Sequence, residues 1–102
     1  MENHRFQIVW SQPAKKDFEK TVGQIAEVAP MTAAKFGEDM LRRIARLDER
    51  PNRCPTLYET PSCRYLLFKK YRIVFQIDDA FKHVYIIAIL FPYQQFSSLR
   101  ML

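Results

Sequence analysis

Glycine, tryptophan and cysteine are scarce in this sequence of 102 residues, which holds 2 glycines, 1 tryptophan and 2 cysteines. So few glycines exclude collagen-like repeats and a flexible, linker-rich array. The longest apolar run, residues 84–91, is far shorter than the roughly twenty residues of a membrane span, so we expect no contact with a membrane. With 48% hydrophobic and 14% aromatic residues, the composition indicates one compact domain over residues 1–102.

The two cysteines give no sign of a metal site or a disulfide framework. Cys54 and Cys63 flank a proline-rich loop, and neither they nor His4 and His83 show the close spacing of metal ligands. The first five residues have no signal-like pattern, so we expect a cytoplasmic protein with reduced thiols. No cofactor and no small-molecule ligand is indicated.

The apolar pattern predicts two helices and four strands. Phe6–Trp10 is the first strand, and Ser11 is placed to cap a helix whose apolar residues recur every three or four positions. Pro30 is predicted to end this helix and Thr32 to cap a second one that reaches Leu47. A loop with three prolines, residues 51–62, then leads to three strands: Cys63–Phe68, Tyr71–Ile77 and His83–Leu90.

This order predicts an α+β fold of the form β-α-α-β-β-β, with a helical hairpin packed on a mainly antiparallel sheet. His83–Leu90 is mostly apolar at both sets of alternating positions, which is typical of a central strand covered on both faces. The hairpin covers one face of the sheet, and we expect the other face to be left for function.

Positive charge is concentrated near the C-terminus. Residues 1–62 hold 10 Lys/Arg against 9 Asp/Glu, whereas residues 63–102 hold 6 against 2, so the last 40 residues supply +4 of the net +5. Such a surface suits nucleic acid, an acidic protein or an anionic membrane, or it serves only solubility. The exposed face of the second helix is interpreted as a mixed, solvated face, with Lys35, Arg42, Arg43, Arg46 and Arg50 among Glu38, Asp39, Asp48 and Glu49.

Three stretches, in their order and spacing, resemble the RelE/ParE toxin superfamily over nearly the whole chain. They are Ile8–Ser11 with Ala14, Asp17 and Phe18; Ala33–Phe36 through Ile44, Leu47 and Pro51; and Arg64 with Tyr71–Asp78 and Val84–Leu90. The resemblance implies the toxin of a bacterial type II toxin–antitoxin system, a class that includes plasmid stabilisation proteins. A cognate antitoxin, mostly acidic, would neutralise it by lying along the hairpin or adding a strand to a sheet edge.

The resemblance implies one of two targets. RelE-like members act as mRNA interferases that enter the ribosome and cleave mRNA, whereas ParE-like members inhibit DNA gyrase. Metal-independent cleavage would use a basic set, here Arg64, Lys69, Lys70 and Arg72, in which Arg64 and Arg72 clamp a phosphate. Alternatively, Arg72 pairs with Asp78 or Glu59 and the two lysines form a solvated turn.

The sequence departs from the RelE-like pattern after the last strand. Phe91 stands where relatives place a histidine and Tyr93 where they place an arginine, and His83 is expected at the far end of the sheet. Tyr93 is a catalytic candidate only if a cationic pocket lowers its pKa from about 10, or if it stacks on a base. Tyr93, Phe96 and Arg100 form either a patch that binds the target or ordinary terminal packing.

Enzymatic activity is therefore left open. The functions that remain are a ribosome-dependent endoribonuclease, a non-enzymatic gyrase inhibitor, and an attenuated toxin that only binds its antitoxin. Outside the family, the rival is a small basic RNA-binding module with Tyr65, Tyr71 and Tyr85 exposed on the sheet.

Overall fold

The structure, a computed structural model, describes residues 5–96. This part of the chain forms two helices and four strands. The elements are β1 (Gln7–Trp10), α1 (Gln12–Ala26), α2 (Pro30–Ala45), β2 (Arg64–Phe68), β3 (Tyr71–Asp78) and β4 (His83–Leu90). Two 3-10 turns, Arg46–Asp48 and Pro51–Arg53, lie between α2 and β2. The predicted β-α-α-β-β-β order and α+β class are confirmed.

The four strands form one mixed sheet in the order β1-β4-β3-β2. β1 pairs with β4 in parallel, and the other two pairs are antiparallel. β4 lies between β1 and β3, which confirms the central place that its apolar pattern predicts.

A β-bulge in β4 changes which of its side chains share a face. Val74 pairs with Ala88 and Phe75 with Ile86, so Ile87 has no opposite residue in β3. Ala88 and Ile87 consequently pack on one face of the sheet, and Ile86 on the other. Simple alternation along the strand did not predict this switch.

Helices α1 and α2 pack as a hairpin on what we call the helix face of the sheet. Ala14, Met40 and Ile44 are buried there with Ile73, Phe75, Val84 and Ile86. Gly37 lies where the two helices touch, and a Cβ at this position would be 3.4 Å from Val22 and 3.5 Å from Phe18, at the short end of ordinary van der Waals contact. Neither helix in residues 5–96 has the length and apolarity needed to cross a membrane.

The connection between the two helices differs from the prediction. α1 ends at Ala26, and Pro30 does not end it but begins α2, with Ala29 as the N-cap residue. Proline suits the first helical position because it lacks an N–H that would have no partner there. Thr32 therefore lies inside the first turn of α2, and the prediction that it caps this helix was wrong.

The opposite side of the sheet, which we call the loop face, is covered rather than open. Leu57, Cys63 and Phe96 are buried on it against Val74, Ala88 and Leu90. The loop before β2 and the segment after β4 supply this cover. The expectation that this face is left for function was therefore wrong, because the apolar residues of the loop bury themselves there.

Backbone groups on the outer edge of β4 determine where α1 begins. β1 pairs only as far as Ile86, and Ser11 then continues the contact, its N–H donating to Ile86 O and its hydroxyl to Ile87 O. The same hydroxyl accepts from Ala14 N and so caps α1. Asp17 Oδ2 accepts the next outward N–H, that of Ile89, at 2.9 Å.

We expect Asp17→Ala to lower the free energy of unfolding by about 1–3 kcal/mol, because the Ile89 N–H loses its charged acceptor. Urea unfolding followed by circular dichroism measures this change. Glu19→Ala, an exposed position on the same helix, is the matched control and should change stability by less than about 0.5 kcal/mol. Equal stability of the two variants would contradict a structural role for Asp17.

Candidate functional site

Arg72 of β3 is held by Glu59 on the loop face. Its Nη1 and Nη2 donate to the two carboxylate oxygens of Glu59 at 3.0 and 2.8 Å, and Nη2 also donates to Gln94 O at 2.6 Å. Glu59 Oε2 accepts the N–H of Phe96 as well. These contacts join the loop before β2, strand β3 and the segment after β4.

The ion pair fixes the charge state of both partners. The hydrogen bond from Arg72 lowers the pKa of Glu59 from 4.5 to about 2, and the hydrogen bond to Glu59 raises the pKa of Arg72. Of the two pairings considered for Arg72, the one with Glu59 is the one present. Asp78 lies six residues further along β3 and instead accepts the N–H of Phe81.

Arg64 does not lie beside Arg72. It is aligned with Phe75 and has its side chain on the helix face, whereas Arg72 is aligned with Leu67, about 10 Å further along, with its side chain on the loop face. Arg64 Nη1 donates to the Cys54 carbonyl. Arg64 and Arg72 are thus three positions apart along the paired strands, and an odd number of positions places their side chains on opposite faces of the sheet. The structure therefore does not form the predicted phosphate clamp.

The end of β4 is aromatic, and Tyr93 projects from it. Tyr93 is 98% exposed with a φ of 67°, a left-handed conformation that is uncommon outside glycine. Phe91 packs beside Tyr71 with 5.8 Å between ring centroids. Lys20 of α1, which sequence analysis missed, has its Nζ 5.8 Å from the centroid of Phe91.

Lys69 and Lys70 form the two-residue turn between β2 and β3. Both have positive φ, 46° and 73°, as a tight hairpin turn requires, although asparagine and glycine are preferred at such positions. Lys69 Nζ lies 5.8 Å from the Phe36 ring and 5.7 Å from the Phe68 ring. Both lysines are exposed, so the strained turn presents two ammonium groups to solvent.

The remaining candidates are dispersed. Phe96 is buried on the loop face, which agrees with terminal packing rather than with a binding patch, and Arg100 lies outside the described residues. Tyr65 packs on the loop face but Tyr71 on the helix face, so the tyrosines do not form one RNA-stacking platform. His83 contacts Tyr85 at the start of β4, opposite the end that carries Phe91.

Six arginines cluster at the end of α2, on what we call the arginine surface, where the sequence pattern had indicated only a mixed, solvated face. Its members come from the residues before β1, from the end of α2 and from the region of the two 3-10 turns: Arg5, Arg42, Arg43, Arg46, Arg50 and Arg53. Arg53 was assigned only to the loop. The signal lay in the spacing, since Arg42, Arg46 and Arg50 recur every four residues.

Similarity to known proteins covers most of the chain. A family model, the ParE toxin of the type II toxin–antitoxin system parDE, matches residues 8–91. Among proteins with curated descriptions, no sequence matches significantly.

Three solved structures illustrate the shared fold. One from a chromosomal ParDE toxin–antitoxin system of P. aeruginosa has a TM-score of 0.77 and 19% identity, over 88% of this chain and 99% of that one. One from the RelBE2 toxin–antitoxin complex of Mycobacterium tuberculosis has a TM-score of 0.62 and 19% identity, over 85% and 98%. A doubly substituted RelE toxin from E. coli, in the free state, has a TM-score of 0.62 and 18% identity, over 85% and 83%.

We expect Glu59→Gln to destabilise the fold by about 1–3 kcal/mol at neutral pH, since it removes the charge that binds Arg72. Because folding lowers the pKa of Glu59 to about 2, its stabilising effect is complete above 4.5 and is lost as the pH falls towards 2. Urea unfolding at pH 2.5, 4, 5.5 and 7 should show the difference from wild type shrinking on acidification. Asp79→Asn, an exposed carboxylate, is the control, and a pH-independent difference for Glu59→Gln would contradict the assigned ion pair.

Proposed function

This chain belongs to the ParE toxin family of type II toxin–antitoxin systems, and from that membership we propose that it arrests growth by binding DNA gyrase rather than by cutting RNA. The proposal rests on one observation above all. The guanidinium of Arg72, the arginine expected to act on a phosphate in an RNA-cleaving relative, is already occupied by both carboxylate oxygens of Glu59. A phosphate would have to displace a bidentate, charge-assisted contact at 2.8 and 3.0 Å.

The other groups needed for RNA cleavage do not gather around Arg72. Arg64 is on the opposite face of the sheet, and Tyr93 projects into solvent rather than into a cationic pocket. General acid–base catalysis requires donor and acceptor within hydrogen-bond reach of one reacting centre. Binding to a protein target has no such requirement. An exposed tyrosine such as Tyr93 is typical of interfaces, and the exposed Lys69 and Lys70 can contribute by charge complementarity with an acidic partner surface.

The proposal includes a cognate antitoxin and a cytoplasmic site of action. The similar structures named for ParDE and RelBE2 come from toxin–antitoxin systems, which supports an antitoxin partner for this chain. In this protein β1 and β2 are the two edges of the sheet. The outer edge of β2 is already partly occupied, since Thr56 pairs with Arg64 and the Tyr65 N–H donates to Pro55 O, so β1 is the edge better suited to an added strand. Residues 1–102 would then act as one toxin domain.

A second candidate, the ribosome-dependent endoribonuclease, is favoured by Lys20. Its ammonium lies beside Phe91, the position at which RelE-like relatives place a histidine, and a cation there can stabilise charge on a phosphorane. Lys69 lies near the same aromatic cluster through Phe36, which contacts Tyr71. The contacts of both lysines described above are with aromatic rings, which cannot act as the general base that RNA cleavage requires.

We expect the purified protein to inhibit supercoiling by gyrase, and induced expression to leave abundant transcripts uncut in primer extension. Relaxation of the same plasmid by a type I topoisomerase is the control for non-specific coating of the DNA, and it should be unaffected. Codon-linked cuts that disappear in Arg72→Ala would overturn the proposal in favour of the nuclease. Intact transcripts together with normal supercoiling by gyrase would contradict both activities and would favour an attenuated toxin that only binds its antitoxin.

We expect Lys69→Asn with Lys70→Gly to give a more stable but weaker toxin. Both replacements suit the positive φ angles of the turn, and about 1 kcal/mol of relieved strain should raise Tm by roughly 4–8 °C. Loss of two exposed ammonium groups should weaken gyrase inhibition by about tenfold if the turn contacts the target. A stabilised variant that inhibits gyrase as strongly as wild type would show that the turn does not contact the target. If the variant has a higher Tm but inhibits more weakly, misfolding cannot explain the loss.

A further inference from the structure

The fold brings the arginine surface together at a point where the chain changes direction. α2 ends at Ala45, the turn Arg46–Asp48 follows, and Arg50 then adopts a left-handed conformation with a φ of 51° before Pro51. Pro51 is buried, so the turn is anchored to the core. As a result Arg53 returns to the end of the helix and lines the same concave surface as Arg42 and Arg46.

Positive charge on this surface exceeds what its own carboxylates can neutralise. Arg5 pairs with Asp48 and Glu49 at 3.9 and 3.1 Å, and Arg42 pairs with Asp39 at 3.2 Å. Six arginines therefore face three carboxylates. Within residues 5–96, no salt bridge involves the other four arginines, which are all exposed: Arg43, Arg46, Arg50 and Arg53.

The chemistry of the surface suits phosphate. Every cation on it is a guanidinium, which binds phosphate oxygens in a bidentate manner and is more weakly hydrated than an ammonium. The concavity encloses about 540 Å³, and Ala45 is its only apolar lining residue. Apolar residues, Leu47, Cys54 and Leu66, line only the neighbouring hollow beside Arg43. The concavity itself presents guanidinium groups with little apolar surface, which suits a phosphodiester backbone because such a backbone needs no apolar contact.

We propose that the arginine surface binds the phosphate backbone of duplex DNA, so that the toxin contacts the DNA that gyrase holds as well as the enzyme. The choice of duplex DNA over other polyanions rests on the proposed gyrase function. Contacts of this kind carry no sequence information, so binding is non-specific and depends on the release of counterions.

The test is fluorescence anisotropy of a labelled 20-base-pair duplex, about two helical turns, with the purified protein over a series of salt concentrations and without gyrase. The test variant is Arg46→Glu with Arg53→Glu. The control is Lys15→Glu with Lys16→Glu, two exposed positions on α1, which changes the formal charge by the same four units. Neither control lysine lines the arginine surface.

We expect the arginine variant to lose at least about tenfold in affinity and about 2 in the slope of log K against log salt, and the lysine variant to lose less than about threefold. Equal losses in the two variants, no binding of DNA by wild type, or tighter binding of an RNA duplex or of labelled poly-glutamate than of DNA would each overturn the inference. Thermal melts confirm that both variants fold. Because the DNA-binding assay contains no gyrase, its outcome is independent of the supercoiling assay. A lack of DNA binding would not contradict gyrase inhibition, and a lack of gyrase inhibition would not contradict DNA binding.

Discussion

The unequal lengths of β1 and β4 are the constraint on which the rest of this structure depends. β4 has eight residues and β1 only four, so the outer edge of β4 beyond Ile86 has no strand to pair with. Backbone groups left without partners in a protein interior cost free energy, and here Ser11 and Asp17 supply the partners. The first two turns of α1 are thereby fixed against β4, and α2 follows because it packs on α1.

The fixed hairpin leaves the loop face to be covered by chain segments without regular structure. A single carboxylate, Glu59, organises that cover by binding Arg72 and the N–H of Phe96, while Leu57 and Phe96 supply the apolar contacts. The arginine thus stabilises the fold at the place where an RNA-cleaving relative would use it for chemistry. A charge cannot serve fully in both roles, because a guanidinium paired with a carboxylate has little field left for a phosphate.

The sequence was sufficient for the order of elements and the central place of β4, since both follow from apolar periodicity. It was insufficient wherever two distant segments had to be placed relative to each other. Glu59 and Asp78 were equal candidates for Arg72. The path of the loop before β2, which sequence does not reveal, decides between them, because it brings Glu59 to Arg72 while Asp78 stays six residues away along β3. Pro30 was misplaced because proline both ends one helix and begins the next, and local pattern alone does not separate the two.

The count of charges along the chain did not reveal the arginine surface. The C-terminal part has the larger excess of cations, yet Arg72 is paired, Arg64 donates to a carbonyl and Lys69 lies over aromatic rings. The first 62 residues are almost neutral, but their carboxylates are spread over both helices and the loop, whereas the arginines converge around the left-handed Arg50. Whether a surface is cationic depends on how many carboxylates lie close enough to neutralise its arginines, and only the fold determines which carboxylates those are.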